Sequence, residues 1–118
     1  MALVKELLWQ LFRRPATKKY PYEKTSPAEG FRGRPLWNIE KCVGCGLCSN
    51  VCPAGAIELI GEGLEAEIRH FINRCMFCGQ CAETCPKNAI TMSGEYELAE
   101  FDISRMIREF KRNTCAKK

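Results

Sequence analysis

The chain has 118 residues, of which 46% are hydrophobic and 27% charged, and its formal net charge is +4. A chain of this length is one domain's worth of protein, with the composition of an ordinary globular protein. No apolar run reaches the roughly 18 to 20 residues that cross a bilayer, which argues against a transmembrane subunit. So short a chain also buries only a modest core, which argues against an enzyme with a roomy substrate pocket.

Residues 2–14 are predicted to form an amphipathic helix that docks on a membrane surface or a partner subunit. The alternative is a helix packed against its own domain. Lys5 and Glu6 interrupt the apolar run and no small-residue cleavage site follows, so we do not expect a secretory signal. The apolar residues that share one side of this helix are Leu3, Val4, Leu7, Leu8, Leu11 and Phe12. Residues 15–35 are polar and rich in proline, glycine and charge, which indicates an extended arm.

Eight of the nine cysteines form two runs with the same spacing, C-x2-C-x2-C-x3-C, each followed by proline. The runs lie 33 residues apart, and the similarity extends to Ile39/Ile72, Ala56/Ala89 and Ile57/Ile90. This internal duplication predicts two similar halves related by a pseudo-twofold axis. The two runs are Cys42, Cys45, Cys48 and Cys52, and then Cys75, Cys78, Cys81 and Cys85.

Without an export signal we expect a reducing compartment, where cysteines bind metals more often than they form disulfides. The spacing is that of proteins with two [4Fe-4S] clusters, in which the fourth cysteine of each run ligates the other cluster. Zinc is the rival metal, but zinc sites usually have two separated pairs of cysteines. The predicted ligands are Cys42, Cys45, Cys48 and Cys85 for cluster 1, and Cys75, Cys78, Cys81 and Cys52 for cluster 2.

The repeat predicts an α+β, ferredoxin-like fold made of two βαβ units. Short strands are expected at 36–39, 56–60, 68–72 and 89–92, with single helical turns at 49–52 and 82–85 and a hairpin turn at 61–63. Ile39, Ile57, Ile72 and Ile90 are expected to line the clusters and exclude water. A second short helix is predicted from Ile103 to Arg112, with Asp102 as its N-cap.

The predicted domain organisation is a helix and docking arm over 1–35, a two-cluster domain over 36–95, and a helix with a basic tail over 96–118. The net charges of residues 1–41, 42–101 and 102–118 are +5, −5 and +4. The centre is therefore acidic and flanked by basic segments. Because these segments carry no aromatic interleaving, we do not expect a nucleic-acid partner.

Four further residues are interpreted individually. His70, the only histidine, aligns with Trp37 in the repeat and is predicted to pack near a cluster and not to ligate it. Met76 and Phe77 lie inside the second cysteine loop and are expected to shield cluster 2 from water. Cys115 lies outside the repeat and is predicted to be a free thiol.

The chain resembles the two-cluster, ferredoxin-like subunit of respiratory complex I and of related membrane-bound hydrogenases and ferredoxin-linked complexes. The resemblance covers residues 1–95 and rests on both cysteine runs, the N-terminal helix, Tyr20-Pro21 and the segment Phe31-Arg32-Gly33-Arg34. It implies an electron-transfer subunit without a catalytic site of its own, lying peripherally on the cytoplasmic face of the membrane. Arg32 and Arg34 would contact partner subunits.

The resemblance also implies the partners: membrane subunits, a small cluster-bearing catalytic subunit, and soluble ferredoxin as a candidate donor. Two alternatives stay open at this point. One is a soluble two-cluster ferredoxin or the ferredoxin subunit of a 2-oxoacid oxidoreductase. The other is a zinc-stapled interaction module with no redox role.

Overall fold

A computed structural model of the chain describes residues 2–112. Cys115 and the rest of the basic tail lie outside the described residues. The helices are α1 (Ala2–Phe12), α2 (Leu47–Asn50) and α3 (Gln80–Glu83), and two 3-10 turns span Gly63–Glu65 and Ile103–Met106. The strands are β1 (Pro35–Trp37), β2 (Ile57–Ile60), β3 (Glu67–Phe71), β4 (Ile90–Met92) and β5 (Ile107–Phe110).

Each sheet joins strands from both halves of the repeat. Strand β1 pairs with β4 in an antiparallel ladder that sets Trp37 opposite Ile90. Strand β2 pairs with β3, setting Ile57 opposite His70. In β3 the side chains alternate, so that Ile68 and His70 are buried while their neighbours are partly exposed. The predicted strands and the hairpin between β2 and β3 are thus confirmed, with small shifts in their bounds.

The core lies between the two sheets and consists of Trp37, Ile57, Ile68 and Ile90. Of the four isoleucines expected in the core, Ile57, Ile72 and Ile90 are buried, whereas Ile39 is only partly buried at its edge. Five of the half-buried cysteines pack against the same cluster of side chains: Cys42, Cys48, Cys52, Cys81 and Cys85. This small core therefore continues directly into the walls of the cysteine sites.

The predicted C-terminal helix from Ile103 to Arg112 is wrong. A 3-10 turn begins after Asp102, whose carboxylate accepts a hydrogen bond of 3.0 Å from the Ser104 N–H, as expected for a cap. The chain then continues as β5, which adds to the open edge of β3 with Phe110 opposite Ile68. The ladder satisfies the free edge of β3, and it places the Phe110 ring 5.0 Å from that of Trp37. An exposed helix would gain neither contact.

The two helical turns start earlier than predicted, at Leu47 and Gln80 instead of Ser49 and Ala82. Each follows a glycine in the left-handed region, Gly46 with φ 74° and Gly79 with φ 80°. A left-handed residue turns the chain sharply from the cysteine loop into the helix, and glycine adopts this conformation without strain.

The arm before β1 runs along residues 93–97. Main-chain hydrogen bonds join Gly33 N–H to Ser93 O (2.9 Å) and Arg34 N–H to Glu95 O (3.1 Å). Farther out, the Tyr20 hydroxyl and the Lys24 ammonium donate to the Glu97 carboxylate at 2.6 and 2.9 Å. The arm is therefore fastened to the segment that follows β4.

Helix α1 presents its apolar side chains to solvent in the described structure. Leu3, Leu11 and Phe12 are 79%, 75% and 85% exposed, and the residues between them are exposed as well. Among the described residues, no helix is both long and apolar enough to cross a membrane.

Candidate functional site

The two cysteine loops repeat the same backbone path. Gly44 has φ 66° and its equivalent in the second loop, Phe77, has φ 54°. Gly55 and its equivalent Asn88 likewise have φ 55° and 46°. A positive φ at non-glycine residues is uncommon and costs free energy, so the surrounding structure must impose it. The loop shape is thus preserved in the second half even where glycine is not.

The last cysteine of each run follows a one-turn helix and has a fixed environment. The Cys52 sulfur accepts a hydrogen bond of 3.3 Å from the Ala56 N–H, and the Cys85 sulfur accepts one of 3.3 Å from the Ala89 N–H. Both bonds span four residues and occur at equivalent positions. The two sulfurs are therefore held in equivalent positions by the main chain of the segment that follows each run.

The eight cysteines line two cavities, and each cavity draws on both runs. The first is lined by Cys42, Cys45, Cys48 and Cys85. The second is lined by Cys52, Cys75, Cys78 and Cys81. The two cavities are similar in size. The fourth cysteine of each run therefore lies at the cavity of the other run.

The hydrophobic walls of the cavities come from the core and the loops. Ile68 and Ile90 line the first cavity, and Ile57 lines the second. Met76 and Phe77 also line the second cavity, with Met76 63% exposed on the outer side. The sulfurs thus lie between an apolar interior and a thin outer wall, which limits the access of water.

Burial and neighbouring thiols disfavour charge on the sulfurs of Cys48, Cys75 and Cys81 and so raise their pKa. Burial raises the pKa of the Cys48 thiol, and nearby Cys42 adds to the effect. Burial likewise raises the pKa of Cys81 to about 11, with Cys75 and Cys48 contributing. Thiolates in such a setting require a cationic group to compensate them, and iron supplies that charge.

The sulfurs surround a space and do not meet at a point. Within residues 2–112, no three Cys, His, Asp or Glu side chains converge closely enough to hold one metal ion. Each set of four thiols instead walls a cavity. This arrangement fits a cube whose corner irons each take one cysteine sulfur.

Trp37 and His70 stand back to back between the cavities. Trp37 lines the first cavity and His70 the second, and their ring centroids are 4.9 Å apart. Trp37 is 7% exposed and His70 is fully buried. The two cavities are therefore close neighbours, with one pair of packed, mutually tilted rings between them. His70 packs beside a cavity, as predicted from its alignment with Trp37 in the repeat.

One arginine from each flank holds a cysteine loop. The Arg112 guanidinium donates to the carbonyl oxygens of Ile39 (2.6 Å) and Cys42 (2.8 Å). Arg32 donates to the carbonyl oxygen of Cys78 at 2.5 Å and lies over Gly79. From the sequence, Arg112 is expected in a solvated or partner-facing basic end, because no local pattern connects it with a loop seventy residues earlier. Arg32, expected to contact a partner, contacts its own chain here.

Repeated loops around two adjacent four-thiol cavities define a two-cluster iron–sulfur protein of the ferredoxin type. The chain belongs to the 4Fe-4S dicluster domain family, which matches residues 24–90. Its cofactors are accordingly two [4Fe-4S] clusters, and the zinc alternative is set aside.

The most similar curated relatives include NAD(P)H-quinone oxidoreductase subunit I. Those of Rippkaea orientalis and of the chloroplast of Chlorokybus atmophyticus are both 54% identical to this chain over 41 residues. These segments cover 35% of this chain, and 21% and 23% of the respective relatives. The chain thus aligns with only about a fifth of the length of these proteins.

A solved structure is similar to the chain in both fold and sequence. It belongs to the membrane-bound sulfane sulfur reductase, an archaeal respiratory membrane complex. The match has a TM-score of 0.60 and 36% identity, and it covers 74% of this chain and 48% of the other. The resemblance to subunits of membrane-bound respiratory complexes is therefore confirmed.

Proposed function

We propose that the chain carries electrons through two [4Fe-4S] clusters as a subunit of a multisubunit, membrane-bound oxidoreductase. The complex would be of the complex I or membrane-bound hydrogenase type. The observation that carries the proposal is the pair of adjacent four-thiol cavities within a dicluster fold. When bound, the clusters take up and release single electrons, and close spacing permits transfer between them. The protein's own residues hold the clusters, exclude water and define the route.

The proposed ligands of cluster 1 are Cys42, Cys45, Cys48 and Cys85, and those of cluster 2 are Cys75, Cys78, Cys81 and Cys52. The support for this crossed assignment is the set of cysteines that lines each cavity. The same crossing, together with the repeated φ angles of the loops, supports a pseudo-twofold relation between the halves.

The matched variants Cys48→Ser and Cys52→Ser test the crossed assignment. The two residues belong to one run and lie on the same short helix or directly after it, but they line different cavities. We expect Cys52→Ser and Cys78→Ser to alter the same electron paramagnetic resonance signal, and Cys48→Ser to alter the other. If Cys48→Ser and Cys52→Ser altered the same signal, each run would hold its own cluster.

The membrane complex is supported by the nature of the similar proteins. One is part of an archaeal respiratory membrane complex and others are quinone oxidoreductase subunits. We propose that residues 1–35 dock the chain, 36–95 hold the clusters, and 96–118 complete the domain with a basic tail. The exposed apolar side chains of α1 suit a membrane surface or a hydrophobic subunit.

The proposed partners are membrane subunits and a small cluster-bearing catalytic subunit, with soluble ferredoxin as the donor. The chain would lie peripherally on the cytoplasmic face. In this arrangement the catalytic chemistry belongs to the partner, and this chain contributes the conduit between donor and partner.

Fractionation of the producing cells under anaerobic conditions tests this proposal. We expect the tagged chain to remain with washed membranes and to co-purify with hydrophobic subunits and a further cluster-bearing subunit. A matched variant without residues 2–12 should keep both clusters but detach from membranes more readily. Recovery of the intact chain as a monomer in the soluble fraction, with both clusters, would favour the soluble ferredoxin instead.

A further inference from the structure

Three buried nitrogens, on two rings next to the cysteine cavities, lack the partners that buried polar groups normally have. The Trp37 Nε1 and both nitrogens of His70 are shielded from solvent and complete no hydrogen bond within the described residues. A buried donor without an acceptor costs about 1–3 kcal/mol, so such a group usually forms its hydrogen bond with a molecule that binds beside it. The spaces beside these two rings that a ligand could fill are the two cysteine cavities.

Each ring belongs to a different cavity. Trp37 lines the cavity of Cys42 and Cys48. His70 lines the cavity of Cys75 and is fully buried. The two residues occupy equivalent positions, 33 residues apart, in the duplicated sequence. The duplication has therefore put one N–H-bearing ring at each cluster.

We propose that Trp37 and His70 are positioning residues that each donate an N–H hydrogen bond to the sulfur shell of one cluster, Trp37 to cluster 1 and His70 to cluster 2. The inference rests on the ligand assignment proposed above. It assigns these buried rings a task beyond packing: each raises the reduction potential of its own cluster.

The direction of the effect follows from electrostatics. A reduced cluster and its thiolates carry more negative charge than the oxidised set, so a donor N–H stabilises the reduced form more. Burial lowers the pKa of His70, and the Arg34 charge contributes. A neutral imidazole still carries one N–H, which is sufficient for one such bond.

Potentiometric titration of the holoprotein, followed by electron paramagnetic resonance, tests the proposal. Iron content and both signals are checked first in every variant. We expect Trp37→Phe to lower the potential of cluster 1 alone and His70→Phe to lower that of cluster 2 alone. A loss of about tenfold in the ratio of reduced to oxidised cluster corresponds to about 59 mV.

Two variants separate hydrogen bonding from packing. His70→Gln keeps an N–H donor and should restore much of the potential lost in His70→Phe. Phe110→Leu changes a ring that packs against Trp37 with the ring centroids 5.0 Å apart. This ring carries no N–H, so the variant should leave both reduction potentials unchanged. Equal shifts of both clusters in one variant, or no rescue by glutamine, would refute the proposal.

Isotope labelling tests the unaltered protein if a variant loses a cluster. Because His70 is the only histidine, protein grown with ¹⁵N-histidine is labelled in the imidazole at this position alone. Pulsed electron paramagnetic resonance should show ¹⁵N coupling in the signal of reduced cluster 2 and none in that of cluster 1. Absence of coupling from both signals would refute the His70 bond. A protein without two clusters would instead refute the proposed function itself.

Discussion

Truncation of Arg112 should release cluster 1 selectively. Its guanidinium binds the carbonyl oxygens of Ile39 and Cys42 at 2.6 and 2.8 Å, and the side chain is partly buried. Hydrogen bonds to a charged group contribute about 1.5–3 kcal/mol. If Arg112→Ala removes this stabilisation from the closed loop, the barrier to loop opening falls by the same amount. Cluster 1 should then be released about ten to a hundred times faster. Both of these hydrogen bonds go to the first cysteine loop. The rate of release of cluster 2 should therefore stay unchanged.

The adjacent Lys111→Ala is the matched control. It removes the same charge from the same strand end, but its ion pair with Glu67, at 3.0 Å, is solvent-exposed. Exposed ion pairs contribute little, so its effect on release should be small. The assay is anaerobic release of iron to a chelator in mild denaturant, with the two clusters distinguished by electron paramagnetic resonance. Equal release rates in the two variants, or equal loss of both clusters, would contradict the reasoning.

Three further predictions concern the loops, the buried ring and the first helix. Gly44→Ala should prevent incorporation of cluster 1, because the added Cβ would collide with the Gly63 carbonyl oxygen. Gly46→Ala is the control, since Gly46 has a similar φ and its Cβ would meet only one side-chain atom at 3.6 Å, and this variant should retain the cluster. The measurement is the iron content per chain after reconstitution. Since the pKa of His70 is about 4, the unfolded chain binds more protons than the folded one between pH 6.5 and 4. The free energy of unfolding should therefore decrease as the pH is lowered through this range, by up to about 1.4 kcal/mol per pH unit. This dependence should be absent in His70→Phe when both proteins are denatured under the same conditions. Removal of α1, whose side chains are exposed, should leave the thermal unfolding temperature unchanged by circular dichroism.

The cysteine runs made the centre of the fold predictable. Their spacing and repetition fix two loops of one shape, and the β-rich segments beside them follow from alternating apolar residues. The repeat also placed Trp37 and His70 in equivalent positions. That both rings are buried and face opposite cavities is a tertiary fact, which a single strand pattern does not contain.

The C-terminal segment shows where the local pattern misleads. Ile103, Met106, Ile107 and Phe110 have helical spacing, yet residues 107–110 form a strand. The open edge of β3 offers main-chain partners and the Trp37 ring offers a surface for Phe110. Neither exists until distant parts of the chain have folded, so long-range pairing overrides the local preference. The hydrogen bond from Arg112 to the Cys42 carbonyl oxygen depends on the same strand and could likewise not be predicted from the local sequence.

The pairing of each strand with a partner from the opposite half has a consequence during synthesis. Strand β1 pairs with β4, so Pro35 meets Met92 only after more than fifty further residues have left the ribosome. At about 5–20 residues per second, this interval lasts several seconds. Through that time the thiols of the first run emerge without the fold that later shelters them. Oxygen and stray metal ions therefore reach these thiols more easily before β4 has formed than in the folded domain.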